Sequence, residues 1–191
     1  MLTLNKTLMA ASAALVIGLT SVSMTPAFAG GHGVTVGGAE MVADKNIIEN
    51  ASKSADHTTL VAAVKAAGLV ETLQGEGPFT VFAPTNAAFD ELPAGTVDQL
   101  LTPEMKGTLQ KVLTAHVVAG NLTADVLLDH IKRGGGYVNL TTVSGDVLTA
   151  RANSKGIYLF DESGNVGWVI IGDVKQSNGV IHVVNKVLLP K

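Results

Sequence analysis

The hydrophobic period of this chain changes at Gly134-Gly135-Gly136, and that change limits the folds open to it. Before the glycines, apolar residues recur at helical spacing. After them come short runs of Val, Ile, Thr and Leu separated by turn residues. Helices gathered in one half and strands in the other describe an α+β domain, not an alternating βαβ fold.

The helical half reads as a series of short amphipathic segments. Lys45 to Ala51 opens the domain with Ile47 and Ile48. A second helix starts at Asp56 or His57, sets Leu60, Val61 and Val64 on one face and stops at Gly68. Thr102-Pro103-Glu104 is a helix start, with a capping hydroxyl, Pro at the first helical position and an acid in the first turn. The helix it opens carries Leu109, Val112, Leu113 and His116 at i, i+3, i+4, i+7 and ends at Gly120. Thr123 caps the next, where Ala124, Leu127, Leu128 and Ile131 share a face. Strands are expected over 137–143, 147–151, 156–161, 167–174 and 180–189, with Ser144-Gly145, Asn153 to Gly156, Ser163 to Asn165 and Ser177 to Gly179 as turns. Such short turns predict an antiparallel meander packed against the helices.

The N-terminus reads as a processing signal. Lys6 is the only charge before Glu40, the run from Leu8 to Met24 is apolar and small, and Ala27-Phe28-Ala29 is an A-x-A cleavage site ahead of Gly30. Residues 1–29 are therefore expected to be a signal peptide. Its removal leaves about 160 residues, enough for one domain with a full core. It also makes the formal net charge of −3 one unit more negative. Residues 30–44, glycine-rich with little periodicity, are expected to be a flexible lead, and 45–190 the domain. No basic run offers a footprint for nucleic acid, and no later segment is long and apolar enough to span a bilayer. With no cysteine in an exported chain, stability must come from packing, and thiol, Fe–S and Cys-based zinc chemistry are excluded.

Catalytic templates find no match: no nucleophile elbow, P-loop, H-E-x-x-H or EF-hand loop occurs. His32, His57, His116, His130 and His182 are not paired at a metal-binding spacing. His116 and His182 fall in apolar stretches and are expected to be interior residues bonding backbone groups, while His57 and His130 read as surface residues near helix ends. Asp90-Glu91 and Asp161-Glu162 read as solvated charges at element ends. Asn121-Leu-Thr and Asn139-Leu-Thr match the glycosylation acceptor pattern, which has meaning only in a eukaryotic source.

Three apolar blocks remain. The first is Thr80-Val-Phe-Ala-Pro-Thr-Asn-Ala-Ala-Phe89, a strand end stopped by Pro84 and turned into a helix by Thr85 or Asn86. The second is Leu113-Thr-Ala-His-Val-Val118 followed by Gly120, and the third is Asn178-Gly-Val-Ile-His-Val-Val-Asn-Lys-Val-Leu-Leu-Pro190. Their order and spacing resemble the signature of the fasciclin-type domain, a secreted and surface-associated adhesion or binding module. The resemblance implies a wedge in which a small antiparallel β-sandwich or barrel is flanked by several helices. It marks Thr80, Phe82, Ala83, Pro84, Thr85, Asn86, Phe89, His116, Gly179, Ile181, His182, Val184, Asn185, Leu188 and Pro190 as motif residues, mainly structural. Ala115 stands where the central block usually has Tyr, and Asn185 where the last strand commonly has Asp. The function expected is an exported, non-enzymatic adhesion or binding module without a cofactor. It would act in the periplasm or at the cell surface on a protein or an envelope or matrix component. The alternative is a carrier of a small apolar ligand such as a carotenoid or lipid, held at a seam between Leu127, Leu128, Ile131 and the sheet.

Overall fold

A computed structural model describes residues 33–191. The expected signal peptide, His32 and the start of the lead lie outside the described residues. The rest of that lead is not the flexible segment its glycines suggested. It is a hairpin of β1 (Val34–Val36) and β2 (Ala39–Met41), turned by Gly37 and Gly38 at φ of 57° and 75°. Two positive φ values in a two-residue turn are the hairpin geometry that glycine pairs favour. Val36 and Met41 are buried in the core. The Asn50 amide holds the exit of the hairpin, accepting from Val42 N at 3.2 Å and donating to Val42 O at 2.8 Å.

Helix α1 (Ile47–Ala51) opens with a capping box: Asn46 Oδ1 accepts from Glu49 N at 2.9 Å, and Glu49 Oε2 accepts from Asn46 N at 2.9 Å. A 3-10 turn (Ala55–His57) leads into α2 (Thr58–Ala67), stopped by Gly68 in the left-handed region, and α3 (Val70–Gln74) follows. After β3 (Phe79–Pro84) come α4 (Asn86–Asp90), α5 (Thr96–Leu100), a 3-10 turn (Pro103–Met105) and α6 (Lys106–Thr114). The expected helix to Gly120 ends early. Val117–Ala119 form a strand, β4, because this β-branched pair completes the open edge of β3. Helix α7 (Ala124–Arg133) is capped by Thr123, as expected.

The second half is the expected meander: β5 (Tyr137–Thr141), β6 (Val147–Asn153), β7 (Gly156–Phe160), β8 (Val166–Gln176) and β9 (Gly179–Val184). The sheet has seven strands in the order β4-β3-β9-β8-β7-β6-β5. It departs from an all-antiparallel sheet at one seam, where β3 lies parallel to β9 from Phe79↔Gly179 to Pro84↔Val184. The parallel seam corrects the antiparallel expectation, since turn lengths report only on strands adjacent in sequence. The two edges nearly meet through a bridge between Val118 and Thr142, so the sheet curls toward a barrel. Register shifts in β8 between Val169 and Val174 bend that strand.

β3 and β9 are covered on both faces. Val81, Ala83, Ile181 and Val183 face a core built with α1 to α6 and the hairpin. Phe82, Val184 and Leu188 face a second core enclosed by the meander and by Leu127 and Ile131 of α7. Both strands therefore read as unbroken apolar runs, as doubly buried strands do. Phe82 and Phe89 sit in different cores and are 0% and 5% exposed. Replacing either by Ala is expected to cost about 3–5 kcal/mol in urea unfolding; a loss below ~1 kcal/mol would mean the first block is not a packing element.

Candidate functional site

The three signature blocks converge on the β4-β3-β9 seam. Thr80 Oγ1 donates to Gly120 O at 2.7 Å and accepts from Leu122 N at 2.9 Å, fastening β3 to the segment after β4. Pro84 ends the strand. Thr85 caps α4 through Ala88 N at 3.3 Å, and its own N–H donates to Val184 O at 3.2 Å. Asn86 serves a different helix. Its Oδ1 accepts from Thr59 N at 3.0 Å and Thr58 Oγ1 at 3.2 Å, and its Nδ2 donates to Ala55 O at 2.8 Å. That supplies the cap α2 lacks from its own N-cap residue, His57.

His116 stands just beyond the end of α6 and joins distant parts of the chain. Nδ1–H donates to Val112 O at 2.8 Å, and Nε2 accepts from Leu188 N at 2.8 Å. His182 stacks on Phe82 with ring centroids 5.6 Å apart. Its Nε2–H donates to Leu122 O at 2.7 Å, and its Nδ1 accepts from Asp173 N at 3.3 Å. Each ring is held neutral, since a second ring proton would face a backbone N–H. Burial pushes the His116 pKa down to about 4, against the Val112 carbonyl and the Asp161 charge. Burial also lowers that of His182, against the Leu122 carbonyl and Asp173.

Asn185 keeps the hydrogen bond an aspartate would make: Oδ1 accepts from Trp168 N at 2.7 Å. Gly179 is required by contact, for a Cβ there would run into the Phe79 carbonyl. Ile181, Val184 and Leu188 are core residues, and Pro190 is partly exposed in the C-terminal tail.

Four polar residues outside the predicted set share this role. Asn178 is buried. Its Oδ1 accepts from Ile47 N at 3.1 Å, and its Nδ2 donates to Leu73 O at 2.8 Å and Gly75 O at 2.9 Å, tying α1 and α3 to β9. Asp161, expected to be solvated, is 7% exposed and accepts from Asn165 N, Asn165 Nδ2 and Leu189 N, each at 2.8 Å. Asp173, at φ 57°, caps α7 by accepting from Ala124 N at 2.7 Å. His57 is also buried, not on the surface. Its Nδ1 lies 2.9 Å from Ser54 Oγ, while Nε2 has no hydrogen-bond partner. Burial lowers its pKa, opposed by Asp56 and by the Ala83 carbonyl, which stays outside hydrogen-bond geometry. Asn178, Asp161 and Asp173 each bond a backbone group distant in sequence, which no local pattern marks. His130 is exposed, as expected.

The expected seam beside Leu127, Leu128 and Ile131 is packed shut, with Leu127 at 0% exposure. The apolar cavity lies on the other side of the sheet, between α1 to α3 and β3, where Ile47, Leu60, Val64, Phe79 and Val117 enclose about 50 Å³. Among the described residues, no group of three or more His, Cys, Asp or Glu could hold a metal ion, and no helix is long and apolar enough to cross a membrane.

The fasciclin domain family model matches residues 55–190. The chain belongs to the fasciclin domain family. It is 48% identical over 144 residues to protein sll1483 of Synechocystis sp., covering 75% of this chain and 73% of that one. It is 37% identical over 122 residues to the cell surface glycolipoprotein MPB83 of Mycobacterium bovis, covering 64% of this chain and 48% of the relative. A solved fasciclin (FAS1) domain pair from the insect cell adhesion molecule Fasciclin I superposes with a TM-score of 0.70 at 17% identity, over 78% of this chain and 52% of that chain. This last likeness establishes the fasciclin fold.

A histidine whose folded pKa lies below its unfolded value binds fewer protons folded than unfolded. Its contribution is complete above the ordinary pKa of 6.5 and is lost as pH falls toward the folded value. For His116 that window runs from 6.5 down to about 4, and the loss amounts to up to about 3 kcal/mol. Urea midpoints should fall across it, and His116→Gln should flatten the fall while lowering stability at pH 7. A midpoint independent of pH across that window would contradict the neutral, buried ring.

Proposed function

We propose that this fasciclin domain is an exported, non-enzymatic adhesion or binding module that acts in the periplasm or at the cell surface. The observation that carries the reading is the orientation of the signature blocks. Their histidines, amides and hydroxyls are turned inward and spent on backbone groups of the same domain. A nucleophile or general base needs a group free to meet a substrate, and the rings best suited by type are committed on both nitrogens. Recognition then belongs to surfaces that the blocks support.

Export is supported by the A-x-A pattern at Ala27-Phe28-Ala29. Action at the cell surface is supported by the mycobacterial relative that carries that description and by the adhesion molecule that shares the fold. The partner fits a protein or an envelope or matrix component. The carrier alternative has no comparable support: the apolar cavity of about 50 Å³ falls short of the ~150 Å³ that admits benzene.

The domain coupled to beads should be retained on its own cells or envelope fractions more strongly than a variant with scrambled surface residues and an unchanged melting temperature. Equal retention of the two would overturn the reading.

A further inference from the structure

The outward face of the meander differs from the rest of the surface. Pairing puts Tyr137 opposite Arg151, Arg151 opposite Tyr158 and Tyr158 opposite Trp168, so these four side chains form one row across β5 to β8. A second row runs Asn139, Thr149, Phe160, Val166. The inward alternates, including Leu148, Ala150 and Leu159, fill the core enclosed by the meander. Both tyrosines and the only tryptophan of the chain stand on this face.

The rows are organised around one cation. The Arg151 guanidinium lies 5.7 Å from the Tyr137 ring centroid and 5.6 Å from that of Phe160, held between two aromatic faces. Tyr158 packs against Trp168 at 4.8 Å and Phe160 at 5.5 Å. Neither row contains a carboxylate. The ion pairs among the described residues are Lys111–Asp146, Arg133–Asp129 and Lys186–Glu91, and Arg151 takes part in none of them. On a chain of net charge −3 these rows therefore hold a guanidinium that makes no ion pair with a carboxylate.

We infer that this face is a binding platform for an acidic glycan, a chain of sugars carrying carboxylates. The exposed parts of the rings offer flat apolar area for the C–H faces of sugar rings, and the fixed guanidinium fork matches a carboxylate. Asn139 and Thr149 supply hydroxyl and amide partners, already aligned with each other at 3.0 Å. The two rows form a narrow strip: four strands span about 14 Å, and two outward positions along them about 7 Å. A narrow row of stacked rings suits a thin polymer bound repeatedly along its length.

The inference rests on reading the chain as a binding module and names the chemistry of its partner. Trp168 is the only tryptophan, so intrinsic emission reports on the platform directly. The protein purified from its own source is titrated with alginate oligosaccharides, with dextran oligosaccharides and polyglutamate as comparators. Alginate should change the emission saturably and the comparators at least ten-fold more weakly. Arg151→Gln should weaken alginate binding at least ten-fold at unchanged melting temperature. Arg151→Lys, which keeps the charge but loses the fork, should weaken it several-fold. No saturable response to alginate, an equal response to polyglutamate or dextran, or wild-type affinity in Arg151→Gln would overturn the inference. Retention on cells without alginate binding would remove the glycan and leave the module standing; loss of both would remove both.

Discussion

The parallel pairing of β3 with β9 is the contact on which the rest of the structure depends. It joins strands about a hundred residues apart, so its loop-closure cost is met only when the intervening helices and meander are in place. In return it builds a two-sided wall. One face is sealed by the helices and the hairpin, the other by the meander and α7. Three polar side chains around the wall serve this joint. Thr80 ties it to the segment after β4, His116 to the C-terminal tail, and Asn178 to α1 and α3. A buried polar group left without a partner costs more than a made bond gains. These residues therefore specify one arrangement of the wall more than they strengthen it.

Features set by local chemistry were legible in the sequence. The five meander strands follow from period two and from turn residues, and α2 and α7 from helical period with Gly68 and Thr123 at their ends. The burial of His116 and His182 followed from their apolar neighbours. What escaped depends on partners distant in sequence. Val117-Val118 looked helical in phase with Leu113, yet the open edge of β3 draws it into a strand. Gly37-Gly38 signals a linker and a hairpin turn equally, and only the burial of Val36 and Met41 separates them. Asp161 and His57 sit where exposed residues usually sit, and tertiary packing covers both. Asn86 belonged to the first block on sequence grounds, but its service as the cap of α2 needed the fold.

The three blocks and the outer face of the meander differ in what their side chains touch. The blocks identify the fasciclin fold because their residues are fixed by one another: a stacked His182–Phe82 pair, a glycine pressed on a carbonyl, two neutral imidazoles. Little of that is accessible to a partner. The outer face belongs to β5 to β8, where the outward side chains point to solvent and substitution leaves the core intact. The residues that fix the fold and the exposed side chains of the meander thus lie on different strands of one sheet, which is how a single scaffold can carry different partners.

Native-state hydrogen exchange resolved by residue tests the central role of the wall most directly. If the β3–β9 pair closes the fold, the amides of Val81, Phe82, Ile181, Val183 and Leu188 exchange only through global unfolding, with an opening free energy equal to the stability from denaturant titration. The outer strands β5 to β7 should open at lower energy. Exchange of the β9 or Leu188 amides through a cheaper local opening, while β5 to β7 stay protected, would contradict the account.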